Sequence, residues 1–244
     1  MNDKFDNYED VSRKTPPPFY GYQTVVSETN SILKRVYVKM FLALLVTAFV
    51  SLWASSSYAY LSFMASHSAA MWILMLAEIG IVIYLSARLT KMSSTAATLW
   101  FYIFAVLNGL MLAPIFLVYT MTSIAKTFFI CAGTFGAMSV YGYFTKQDLT
   151  KVGSYLVYAL IGLIIVSVVN IFTKSTTLDW IISGAGVLIF IGLTAWDTQT
   201  IKKMAENAPS EYTGHLATLG ALNLYLDFIN LFLYLLRFFG NRND

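Results

Sequence analysis

Seven long apolar blocks, separated by short polar breaks, constrain this chain more than any other feature. They run over residues 36–64, 69–87, 96–119, 124–144, 152–172, 178–196 and 216–239. A helix needs about 20 predominantly apolar residues to cross roughly 30 Å of hydrocarbon, and each block is near that length or beyond it. Composition agrees with the pattern. The 244 residues are 57% hydrophobic and 12% charged, against about 45–50% and about 25% in an average soluble domain. One water-soluble core cannot hide that surplus. The expected fold is an all-α bundle of seven transmembrane helices over residues 35–244, with consecutive helices antiparallel because their connections are short. A flexible, polar, cytoplasmic tail is expected over residues 1–34, where Pro16, Pro17 and Pro18 interrupt a mixed-charge stretch.

The remaining composition excludes several function classes. The net charge is +3, and Lys and Arg fall between the blocks instead of forming a patch, so no nucleic-acid partner is expected. The one cysteine, Cys131, lies inside a block and reads as a small buried hydrophobe. His67 and His215 occupy different breaks, which leaves no cluster to hold zinc. No phosphate loop, cofactor fingerprint or Ser/His/Asp grouping appears, so neither an enzyme nor a bound cofactor is expected. The first 30 residues hold no apolar stretch of the kind a cleavable signal peptide needs.

Orientation follows from the bias of basic residues toward the cytoplasm. With the N-terminus inside, Lys34, Arg35, Lys39, Arg88, Lys91, Lys146, Lys151, Lys202 and Lys203 fall on the inner side. Lys126, Lys174, Arg237 and Arg242 fall outside. The imbalance favours a cytoplasmic N-terminus. Pro114 is expected to kink the third span, since it lacks an N–H to donate.

Ionisable groups inside the blocks are the informative exceptions, because a charge at mid-span costs about 2.5–3.5 kcal/mol on insertion scales. Asp227 lies near the middle of the seventh block. Asn223, Asp227, Asn230 and Tyr234 follow spacings of four, three and four, which align them on one helix face. That stripe must look into the bundle. It serves either as a hydrogen-bonded seam between helices or as an ion or proton path. Asp197 ends the sixth block, where a carboxylate near a helix C-terminus opposes the helix dipole and wants a partner. Arg88, at the inner end of the second span, is a candidate for that partner. Glu78, midway along the second span, is a further intramembrane acid and a possible part of an ion pathway with Asn223 and Asn230.

Oxygen-rich acidic sites suit hard divalent cations such as calcium, and protons compete for the same groups. If Asp197 and Asp227 meet, they titrate as a coupled pair and make a pH switch. Counting about 1.5 Å per residue leaves Asp227 deeper than Asp197 by on the order of 10 Å, so contact requires helices that tilt or slide.

Several segments resemble the Bax inhibitor-1 superfamily, in its bacterial YccA-like and YetJ-like branch. Tyr141-Gly-Tyr-Phe-Thr-Lys-Gln-Asp-Leu149 matches the family's close of the fourth span. Gly192-Leu-Thr-Ala-Trp-Asp-Thr-Gln199 is similar to its Ala-Tyr-Asp-Thr-Gln element, with Trp196 in place of Tyr. Leu222 to Phe232 is similar to its final-helix signature, and Asn108-Gly109 with Pro114 fits its third span. The resemblance implies a central seventh helix surrounded by the other six, in a bacterial inner membrane. It implies that Asp197 and Asp227 form the di-aspartyl pH sensor of a calcium leak, and so the calcium-binding groups. It makes Arg88 the lock of the closed state and matches Glu78 to an acidic residue of the second helix.

Two other functions fit parts of the chain. YccA-like relatives are associated with the FtsH membrane protease, and the polar tail would suit such a partner. Paired aspartates on the last two spans are also similar to those of intramembrane aspartyl proteases. That family, however, wants Gly-x-Gly before its second aspartate, where this chain has Leu224-Tyr225-Leu226.

Overall fold

The computed structural model describes residues 19–241. Among these the chain forms nine α-helices: α1 Phe19–Ser56, α2 Tyr58–Ser66, α3 Ser68–Arg88, α4 Ser94–Leu112, α5 Ile115–Val118, α6 Met121–Phe144, α7 Thr150–Thr173, α8 Thr176–Glu206 and α9 Thr213–Phe239. Seven segments, 26–56, 69–88, 94–118, 121–144, 150–173, 176–206 and 213–239, are long and apolar enough to cross a membrane. The protein is an all-α, multi-pass membrane protein.

Element boundaries have local causes. The first apolar block is not one span. Ser57 leaves helical geometry and its hydroxyl accepts the Tyr60 N–H, which starts α2. The break is silent in hydropathy because the apolar run continues through it. Ser93, Thr120 and Ser175 cap α4, α6 and α8 in the same way. Pro114 acts as its chemistry dictates: α4 ends at Leu112, and the chain turns through Ala113 and Pro114 before α5.

Two helices outrun their apolar blocks. Helix α8 continues past Trp196 to Glu206, and α1 begins at Phe19, within the stretch read as a tail, with Ile32 and Leu33 buried. Residues 1–18, including the proline run, and Arg242 lie outside the described residues.

Helix α9 forms the core and packs chiefly against α1, α4, α6 and α8. Four of the other six spans therefore line α9 closely, while α3 and α7 pack mainly on α4 and α8. Side chains such as Phe49, Phe172 and Leu188 are exposed on the outside, where lipid replaces water.

Two glycines set the position of α8. A Cβ at Gly142 of α6 would strike the carbonyl of Ala195, and a Cβ at Gly153 of α7 would strike the ring of Trp196. Small residues let helices approach this closely in lipid.

Candidate functional site

Residues 195, 196 and 197 are consecutive on α8, so their side chains leave the helix about 100° apart. Ala195 meets α6 and Trp196 meets α7, as the two glycine contacts show. Asp197 is thereby turned toward α9. There its carboxyl group lies within hydrogen-bonding reach of the carboxyl group of Asp227. The depth difference counted along the sequence is removed by how α8 sits against α9.

Asp227 is only 4% exposed, and Asp197 is partly buried. Among the described residues, no amide, hydroxyl or cation donates to Asp227 Oδ2. A hydrogen bond between two carboxyl groups needs a proton shared between them. Removing that proton puts two negative charges in contact, which repel.

Asp197 does not stand at a helix end. Because α8 runs on to Glu206, Asp197 sits more than two turns inside it, where the dipole of the last turn is no longer the deciding term. Its partner is Asp227 and not a cation.

The surroundings fix α9 in register. Phe228, the residue after Asp227, packs edge-on against Phe128 and Phe135 of α6, with centroids 5.6 and 5.4 Å away. Cys131 Sγ donates to the Phe228 carbonyl at 3.6 Å, a small buried residue as expected. Along the polar stripe, Asn230 Nδ2 donates back to the Leu226 carbonyl at 2.8 Å, and Tyr234 lies against Gly186 and Phe190 of α8. Asn223 and Asn230 are partly buried. Of the stripe, Asp227 and Tyr234 face α8.

Glu78 belongs to a separate network. Its carboxylate engages the Asn108 side chain, and its Oε1 is buried without a partner among the described residues. Asn108 Oδ1 accepts from Tyr225 at 3.1 Å, and the Tyr225 hydroxyl lies 2.6 Å from that of Thr47. Tyr225 and Asp227 are two residues apart and so point to roughly opposite faces of α9. Two carboxylate-bearing systems therefore flank the same helix. Arg88 is brought to neither. It is exposed at the end of α3 and makes no ion pair among the described residues.

Three residues gain roles that the sequence reading did not give them. Lys39, counted there as an interfacial charge, is half-buried, and its ammonium donates to Thr98 and Thr218 at 2.7 Å each. Its position inside the first apolar block was the available signal. Gln199 accepts from the Leu149 N–H at 2.9 Å and donates to the Gln147 carbonyl at 2.7 Å. It ties the α6–α7 connection to α8 two residues beyond Asp197, which joins the two segments Tyr141–Leu149 and Gly192–Gln199 in space. Lys203, on the same stretch of α8, pairs with Asp148 at 2.6 Å. That exposed carboxylate is held down to about 2 by the hydrogen bond from Lys203 and those from Thr150.

Known proteins resemble this chain over most of its length. The family model described as inhibitor of apoptosis-promoting Bax1 matches residues 29–244. The inner membrane protein YbhL of Escherichia coli K12 is 46% identical over 216 residues, covering 87% of this chain and 92% of its own. An uncharacterised protein of Borreliella burgdorferi is 45% identical over 217 residues, covering 88% and 94%. The uncharacterised protein YrjE of Lactococcus lactis is 37% identical over 214 residues, covering 86% and 91%.

Proposed function

The chain belongs to the Bax inhibitor-1 family, and we propose that it works as a proton-regulated calcium leak of the bacterial inner membrane. The location follows the name of its E. coli relative. The observation that carries the activity is the meeting of Asp197 and Asp227 in the core of the bundle.

With a proton between them, the two carboxyl groups hold α8 against α9. Without it, the pair is a dianionic site of oxygen ligands, the kind a hard cation prefers. Calcium takes six to eight oxygens, and among the described residues no group of three or more His, Cys, Asp and Glu side chains gathers. Two carboxylates with water and carbonyl oxygens make a site that a cation can leave, as passage requires. Arg88 stands apart from the pair, so the seal proposed here is the proton alone.

The test is calcium flux into proteoliposomes, measured as the pH is raised through neutrality. Flux that rises with pH in the native protein and loses its pH dependence in the Asp197→Asn, Asp227→Asn variant supports the proposal. Unaltered pH-dependent flux in that variant contradicts it.

A further inference from the structure

Helices α1 and α6 do not close on each other. Between them runs a trough of about 590 Å³ whose walls are almost wholly apolar and whose floor is Phe228 of α9. On the α6 side it is lined by Ala132, Gly136 and Ser139. Small residues at such spacing ordinarily draw two helices together in lipid. Here they leave a space instead, and a Cβ built at Gly136 would meet nothing within 4 Å.

We propose that this trough binds one anionic phospholipid from the membrane leaflet on the Lys34 side. Three observations define the occupant. Lys34 stands at the mouth, exposed and without an ion pair among the described residues, and no carboxylate lines the trough. Tyr143, also at the mouth, is bonded to Asn30 at 2.8 Å, and the Lys202 ammonium behind it donates to its carbonyl at 2.9 Å. A phosphate is the group that the free Lys34 ammonium complements.

Ser139 supplies the second observation. It is 93% buried, and its hydroxyl has no partner among the described residues although it borders the trough. The Asn30–Tyr143 bond sets the antiparallel register of α1 and α6, and it puts Ser139 level with Lys34. The hydroxyl is covered by its neighbours, and a turn of its side chain brings it to the ester carbonyls of a glycerolipid, which accept the hydrogen bond that Ser139 lacks.

Length is the third. From Lys34 to Leu44, where the trough reaches Phe128 and Phe228, is ten residues of helix. That is about 15 Å, half of the roughly 30 Å hydrocarbon thickness and so the depth of one leaflet. A second apolar cavity continues past the same Leu44, Phe128 and Phe228 toward Ser51. The site is independent of the carboxylate pair, so it stands or falls apart from the calcium proposal.

Native mass spectrometry of the detergent-purified full chain, offered equimolar phosphatidylglycerol and phosphatidylcholine, tests the site. The native protein should retain one phosphatidylglycerol in preference to phosphatidylcholine. Lys34→Gln should lower that preference about fivefold, the effect of one lysine near an anionic lipid surface. Gly136→Leu should abolish retention of both lipids by filling the trough. Ser139→Ala, which changes no packing volume to speak of, should weaken retention without altering the preference. Equal retention of the two lipids by the native protein overturns the proposal. So does unchanged phosphatidylglycerol retention in Gly136→Leu, or a dimer that excludes lipid in the native protein.

Discussion

The hydroxyl of Tyr225, at the centre of α9, lies 2.6 Å from the hydroxyl of Thr47 on α1 and bonds Asn108 on α4 at 3.1 Å. Tyr225 is fully buried, with the rings of Phe101 and Phe104 edge-on to it at 5.7 Å. One oxygen thus joins three helices. Tyr225→Phe keeps the ring packing and strands the Asn108 acceptor, so it should cost about 1–3 kcal/mol. Thermal unfolding in detergent checks this against Tyr58→Phe, whose side chain is 85% exposed and should show no shift.

A Cβ at Gly186 would lie 2.6 Å from Cγ of Tyr234, at the root of the ring where a rotamer change gives little relief. Gly186→Ala should therefore push α8 from α9 and destabilise by about 1–3 kcal/mol. Gly133→Ala is the control, since nothing lies within 4 Å of a Cβ there. The same thermal assay separates the two variants.

How much of this was legible beforehand depended on the physics behind each feature. Span length against bilayer thickness gives seven crossings directly, and the four-three-four spacing around Asp227 gives an inward stripe. Both are one-dimensional signals. The break at Ser57 is not legible, because capping leaves no mark in hydropathy. The extent of α8 is not legible either, because its last turns are polar while still helical. A helix that stops at Trp196 puts Asp197 at a terminus and ties it to the dipole. The contact between Asp197 and Asp227 depends on Gly142 and Gly153 admitting Ala195 and Trp196, a three-dimensional fit that only the family resemblance anticipated. Lys39 looked interfacial by position, yet Thr98 and Thr218 from two other helices hold its ammonium.

Asp148 offers a pH test outside the membrane. Its carboxyl is held down to about 2, first by Lys203 and then by Thr150, against an ordinary value of 3.8. A depressed folded value means that the contribution is present above about 3.8 and is lost as pH falls toward 2. Carbon NMR of the Asp148 carboxyl should show a midpoint near the lower figure. Lys203→Gln should move the midpoint up toward the ordinary value, and an unmoved midpoint would assign the depression to Thr150 alone.

Under the proposed function, Asp197 and Asp227 share a proton whose departure opens a cation path. Infrared spectroscopy of the reconstituted protein reads that proton directly, through the carbonyl band of a protonated carboxylic acid. The band should be lost over the same pH interval in which calcium flux rises, and should be absent or altered in Asp227→Asn. Flux that rises while the band stays constant, or a band unchanged in Asp227→Asn, would contradict it.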